Sequence, residues 1–366
     1  PVTEELKGKI RTARREDTSW RGAEPVGDRL DVRHVPGTAP QSVTLIAADG
    51  SQIYPNRHGI ATYYLVNTGS IVLRQGSSQA PDTDSRPVIF FEEDELYDDA
   101  GRLRDPEYIN SQRDRSELAA LADLTEAERV VLGGDADRPL VALVDGPLLH
   151  WTPQRSTDRE MSREVRRFTW QLARLKRAQA IPLGYVDRPN SANVLRTLDV
   201  ADIAEEEITR DRVRHGEYRR LTDRLLFADL APNQRSALFA STSELNDCYT
   251  GLGHRIVFFY LNVARRGGPA NAIIARIELP EWAADDHIAL DVAQQAVYAD
   301  CALTGYPYVL ARAHELAVVS NAERSELEKA LGQAMLRHGV LPVESTKAGL
   351  KQLLGSRRRG KRRSYG

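Results

Sequence analysis

Three acidic side chains stand where divalent-cation chemistry would want them. Asp49 closes the apolar run VTLIAAD, Glu117 falls in a stretch of helical pattern, and Asp145 closes a second apolar run, LVALVD. Two strand-end carboxylates bracketing a helical one could cage hard divalent cations, which prefer oxygen ligands. A pair of such ions roughly 3.5–4 Å apart can activate a water, stabilise charge on the phosphorus oxygens and assist the departing oxygen, as phosphodiester hydrolysis requires. Each acid also has a plainer reading. Asp49-Gly50 and Asp145-Gly146 are common turn openers, and a lone glutamate on a helix is usually part of a solvated face. The order strand, hairpin, helix, strand favours chemistry, because unrelated acids need not fall in it.

The elements that must position these acids are legible in the hydrophobic pattern. SVTLIAAD is almost continuously apolar, as in a strand buried on both faces, and the turn DGSQIYPNRHG is expected after it. IATYYLVNTGSIVL predicts two strands joined by a hairpin at Asn67-Thr68-Gly69, and RPVIFFEE adds another. From about 110 to 130 the pattern turns helical, with Leu118, Leu121 and Leu124 as its stripe, and RPLVALVDGP is a short strand. A helix over 158–180 carries Met161, Val165, Phe168, Leu172 and Leu175. IPLGYVD is the next strand, and SANVLRTLD a short helix capped by Ser191. HRIVFFYLNVA and ANAIIARIELP read as a strand pair around RRGGP. A helix from about Ile288 to Leu303 follows, and Ser320 with Glu323 has capping-box spacing for a last helix through about Arg337. This is an α/β order: a mixed central sheet flanked by helices, with helical insertions. Asp49 and Asp145 would project at the carboxyl ends of neighbouring strands, where open α/β sheets bind ligands.

Size and composition set the outer bounds. The 366 residues, 41% apolar and 28% charged, suit one large core or a core with a smaller lobe. The expected layout is a helical and loop extension over 1–42, a main domain over 43–340 with a charged helical insertion around 200–245, and a basic tail over 341–366. No run approaches the length of a membrane helix, and no apolar signal segment follows the basic residues of the N-terminus. The start at Pro1 fits loss of an initiator methionine or a shortened chain. Cys248 and Cys301 lack zinc-site spacing and are expected as buried thiols in a reducing cytoplasm. Net charge is −2, but six basic residues crowd 357–363 and leave the remainder near −8. Such a tail could contact phosphates or an acidic partner, or simply solubilise the chain end.

Five segments, in order along the chain, give a resemblance: IAADGSQIYPNRHG at 46–59, RDRSEL at 113–118, LVALVDGPLL at 140–149, GYVDRPNSANVLRTL at 184–198 and GYPYVLARAHELAVVS at 305–320. Together they resemble the NurA nuclease family, whose domain is similar to the RNase H-like fold. The resemblance implies that Asp49, Glu117 and Asp145 bind Mn²⁺ or Mg²⁺, two ions per site. It adds His314 of ARAHEL as a fourth catalytic or metal-binding group; an imidazole accepts Mn²⁺ and titrates near neutrality. Tyr185 and Arg188 are expected as DNA contacts, with Asp187 a further ligand or the ion-pair partner of Arg188, and Ser51 and Tyr54 shape the loop after the first acid. The implied activity is hydrolysis of DNA ends, a 5′-to-3′ exonuclease with single-strand endonuclease activity alongside. The implied partners are DNA, a second copy of the chain and a hexameric HerA-type ATPase, in end resection, repair or defence. An asparagine in GYVDRPNS, where relatives often carry a basic residue, and the charged stretch at 204–224 depart from the family pattern. Two other readings stand beside this one: a non-catalytic DNA-binding scaffold that recruits the ATPase, and a phosphatase or sugar-kinase-like ATPase on a similar sheet. Absence of GxxxxGK[ST] removes only the P-loop type of the latter.

Overall fold

The computed structural model describes residues 2–15, 18–27, 29–38, 40–56, 59–133, 138–150 and 158–339. His58 and the basic tail fall outside the described residues. The strands in chain order are β1 (Ala23–Val26), β2 (Val43–Ile53), β3 (Tyr64–Gln75), β4 (Asp82–Phe90), β5 (Leu140–Asp145), β6 (Ala180–Val186), β7 (Leu238–Ser241), β8 (Ile256–Asn262) and β9 (Ile274–Pro280). The helices are α1 (Glu4–Ala13), α2 (Glu93–Leu96), α3 (Pro106–Val131), α4 (Asp158–Arg177), α5 (Asn193–Ala201), α6 (Arg210–Arg214), α7 (Asp223–Leu226), α8 (Glu244–Gly251), α9 (Glu281–Ala284), α10 (His287–Asp300), α11 (Tyr308–Ala317) and α12 (Asn321–Arg337).

One nine-stranded mixed sheet runs β1-β7-β8-β9-β6-β5-β2-β3-β4. β2, β5 and β6 are mutually parallel, while β9 joins β6 antiparallel and pairs with β8 as the sequence pattern predicts. Alternation along the strands divides the core. Leu45, Ala47, Val141, Leu143, Leu183 and Tyr185 share one cluster with residues of α10 and α11. Ile46, Ala48 and Ala142 point the other way, against α3, α4 and α8. A bidentate ion pair ties α3 to the sheet: Arg74 on β3 meets Glu128 at 2.7 and 2.6 Å, and Glu128 is buried.

Close packing divides the chain into two units. The first comprises Pro1–Asp49, Gly69–Asp84 and Glu117–Leu316; the second, Gly50–Thr68, Ser85–Ser116 and Ala317–Gly366. Within the second, Ile53, Tyr63 and Leu65 pack with Leu327 and Leu331 of α12. Its helix α12 opens with the expected reciprocal Ser320–Glu323 capping box.

Several local expectations are corrected. The hairpin at Asn67-Thr68-Gly69 is instead the middle of the unbroken strand β3. Its β-branched residues are buried there, and the Asn67 amide donates to the Ala317 carbonyl at 2.8 Å, so the polar triplet is satisfied without a turn. The turn after Asp49 is likewise strand: β5 stops at Asp145, but β2 continues to Ile53. Ser51 and Tyr54 therefore do not sit on a turn directly after Asp49; Ser51 Oγ donates to the Ala317 carbonyl at 2.5 Å, and Tyr54 donates to Asn110 at 2.7 Å. Ser191 does not cap α5. The buried Asp223 carboxylate accepts from the Val194 and Leu195 N–H groups at 3.1 and 3.0 Å and from the Tyr260 hydroxyl at 2.6 Å. Residues 1–42 also contribute the edge strand β1. Of the two cysteines, Cys301 is buried and Cys248 exposed. Among the described residues, no helix is long and apolar enough to cross a membrane.

Candidate active site

Parallel pairing brings the first two acids together. Ala48 of β2 is in register with Val144 of β5, so Asp49 and Asp145 follow as neighbours one residue on. Adjacent strands lie about 4.8 Å apart. Alternation places both acids on the α10–α11 side, in phase with Ala47 and Leu143. Asp145 is opposite Tyr185 of β6, and Asp187 lies just past the end of that strand. Asp145 and Asp187 thus mark the carboxyl ends of β5 and β6, and Asp49 stands level with them inside the longer β2.

Helix α11 supplies the fourth group. Val309, Leu310 and Ala313 seat it on the sheet, and the His314 ring nitrogen Nδ1 meets Asp49 Oδ2 at 2.7 Å. The imidazole remains largely exposed while the Asp49 side chain is mostly covered. The start of α11 is fixed by Asp300, whose carboxylate accepts from Val309 N–H at 3.0 Å. Loss of hydration pushes Asp300 up to about 6.

Tyr306, just before α11, is a site residue that the sequence pattern did not single out. Its hydroxyl hydrogen-bonds Asp145, and burial followed by the Asp145 charge raises its own pKa. Its ring stands edge-on to Tyr185, 5.4 Å between centroids at 86°. The usable signal was position: an aromatic within the quoted GYPYVLARAHEL segment, directly preceding the helix that carries His314. Asp145 is raised above the ordinary carboxylate value, first by lost hydration of the carboxyl and next, against the opposing Tyr306 bond, by the Asp49 charge. Because the residue as a whole keeps open surface, solvent screens much of that repulsion.

The loop after Asp145 is held from three sides. Gly146 adopts φ 101°, a left-handed conformation suited to glycine. Its N–H donates to the Tyr185 carbonyl at 2.8 Å, and the Leu148 N–H donates to the buried Glu278 at 3.0 Å. Glu278 in turn pairs with Arg276 at 2.8 Å. Opposite the loop, Gly184 leaves no room for a side chain: a methyl there would stand 2.7 Å from the Gly146 oxygen.

Other expected residues are placed differently. Glu117 is half-buried on α3, next to Leu118, which packs with Ile46 and Ala48 on the opposite face of the sheet. Tyr185 is completely buried, so it offers DNA no surface; it supports Tyr306 and lies 3.9 Å from the Cys301 sulfur. Arg188 is exposed beside Asp187, 3.9 Å between Nε and Oδ2, and borders a cavity of about 320 Å³ that Arg224 also lines.

Among the described residues, no three of His, Cys, Asp and Glu stand at the spacing that holds a metal ion. The donor types suit a hard divalent cation, since two adjacent carboxylates and an imidazole converge at one strand edge. In this arrangement, however, His314 engages Asp49 and Tyr306 engages Asp145. Each of those contacts occupies only part of a carboxylate, whose two oxygens offer further lone pairs to a cation.

A family model described as the NurA domain matches residues 43–319. The chain is similar to the crystal structure of the NurA nuclease from Sulfolobus solfataricus, with a TM-score of 0.45 and 14% identity over 92% of this chain and 93% of that one. Comparison with curated proteins gave no match.

Proposed function

Because the chain belongs to the NurA family, we propose that it is a divalent-metal-dependent deoxyribonuclease that processes DNA ends. The observation that carries this reading is the placement of Asp49 and Asp145 side by side on one face of parallel neighbouring strands, level with the end of β5. When bound, Mn²⁺ or Mg²⁺, two per site, would supply a water ionised near neutral pH and positive charge for the scissile phosphate. Asp49 and Asp145 would hold the ions. Glu117 of α3 is the third proposed ligand, and its longer stem would have to bring its carboxylate round from the other face of the sheet. His314, exposed and already on Asp49, orients that carboxylate and is available to a metal or a DNA phosphate. Tyr306 fixes Asp145, while Arg188 contacts the DNA backbone. The 5′-to-3′ direction, single-strand endonuclease activity, homodimer, cytoplasmic setting and hexameric HerA-type ATPase are carried over from the resemblance.

End-labelled duplex and single-stranded DNA, incubated with Mn²⁺ and with chelator, test the reading. Wild type should cut only with metal, and Asp49→Ala and Asp145→Asn should each lose on the order of 10²–10³ in rate. Cutting by Asp49→Ala at the wild-type rate would sink the mechanism. A non-catalytic scaffold is the second reading, favoured by the way His314 and Tyr306 already satisfy the two acids. It predicts DNA binding with no metal-dependent product.

A further inference from the structure

Away from the strand ends, a cavity of about 340 Å³ opens beside β1, β7 and the first turn of α10. Its wall contains Arg235, which is 5% exposed. Buried arginines are ordinarily paired, because an uncompensated charge in the interior is costly. This one is not. Among the described residues it makes no ion pair, its Nε finds no hydrogen-bond partner, and Nη1 donates only to the adjoining Ser236 carbonyl at 3.2 Å. The guanidinium lies 5.6 Å from the centre of the Phe259 ring, near the limit of a useful cation–π contact. Burial lowers its pKa to about 10, so it stays charged at neutral pH.

The acids nearby are already engaged. Asp291, whose charge acts on Arg235, accepts from the Gly37 N–H at 3.1 Å. Asp286 caps α10 through Ile288 and Ala289, and Asp31 is held by Arg29 at 2.8 Å. That last pair also neutralises Arg29, which lines the cavity. Two imidazoles, His34 and His287, complete the polar wall, and Val32, Leu238 and Leu290 supply an apolar one. Burial and the Arg235 charge keep His34 below its usual pKa, hence mainly neutral and able to donate one N–H. The volume is at the small end of ligand pockets. A buried cation with no ion-pair partner, beside apolar lining, is the complement of a compact oxyanion on an apolar body.

We propose that this cavity binds a small organic oxyanion, a phosphate monoester or carboxylate, with Arg235 gripping the anionic head and Val32, Leu238 and Leu290 covering the apolar body. The site is independent of the metal-dependent reaction and stands whether or not the chain cuts DNA.

Isothermal titration calorimetry on the full chain at neutral pH and low salt tests it, with phenyl phosphate, benzoate and uncharged benzyl alcohol as probes. At least one of the two anions should bind wild type, and benzyl alcohol should bind about tenfold more weakly or not at all. The stronger anion identifies the head group. Arg235→Met, which keeps the stem and removes the charge, should weaken that anion by about tenfold or more. Val32→Trp leaves Arg235 in place and fills the space, so it gives the same loss by a route that does not depend on Arg235→Met folding. If neither anion binds wild type, or if both variants bind as tightly as wild type, the site does not exist.

Discussion

The Asp145 carboxyl is pulled in two directions. Lost hydration and the neighbouring Asp49 favour its protonated form, and the Tyr306 hydroxyl favours the ionised one. A carboxylate must be ionised to hold a cation, so cleavage should fall away on the acid side at a higher pH than an ordinary aspartate would give. Removing the hydroxyl removes the one bond that lowers the Asp145 pKa. Tyr306→Phe should therefore shift the acid limb of the pH–rate profile upward and cost about 10–100-fold at its plateau. A profile that falls without moving would assign Tyr306 a purely packing role. Asp49 and Asp145 were legible as acids closing buried runs, whereas His314 entered only through the family resemblance. Tyr306 was not legible, since its role comes from a contact made by folding. Tyr185 shows the same limit: a tyrosine near a strand end reads as surface in the sequence, whereas β6 is buried through that residue.

Helix starts show how far local pattern reaches. The Ser320–Glu323 box is a contact three residues apart and could be read directly. Asp223 caps α5 from 28 residues along the chain, and no window of sequence contains that information. The same holds for β1 and β7, four residues each, too short for alternation to register. Asp300 is another buried cap, and its charge has a cost. Its pKa is raised from 3.8 to about 6, so the folded state binds the proton more tightly than the unfolded chain does. Stability consequently falls as pH rises between those two values and stays reduced above them. Asp300→Asn retains an acceptor for the Val309 N–H and removes the charge. Its melting temperature should match wild type near pH 4 and exceed it above pH 6, by a free energy of up to about 3 kcal/mol. Equal melting curves at both pH values would show that the buried charge is compensated.

For the molecule as a whole, the sequence indicated the α/β class, the neighbouring strands that carry Asp49 and Asp145, and the β8–β9 pair. It did not show that the packing divides into two units from three stretches each, because such a division depends on contacts distant in sequence. The basic segment 357–363 gives a prediction at this level. If its six cations meet DNA phosphates, deleting it should weaken binding in proportion. The slope of log K against log salt should flatten by up to about 5 on duplex DNA. An unchanged slope would leave the segment to a protein partner or to solubility.

The outermost strand β4 has a consequence of its own. It borders the sheet with a largely exposed face, and its sequence DTDSRPVIF places charges at Asp82, Asp84 and Arg86 and a nitrogen without hydrogen at Pro87. An incoming strand from another copy would meet charged side chains and a residue without an N–H where it needs a continuous ladder. Replacing Arg86 and Pro87 with threonine and valine should remove that guard and let copies polymerise edge to edge, visible as rising light scatter at constant helix content.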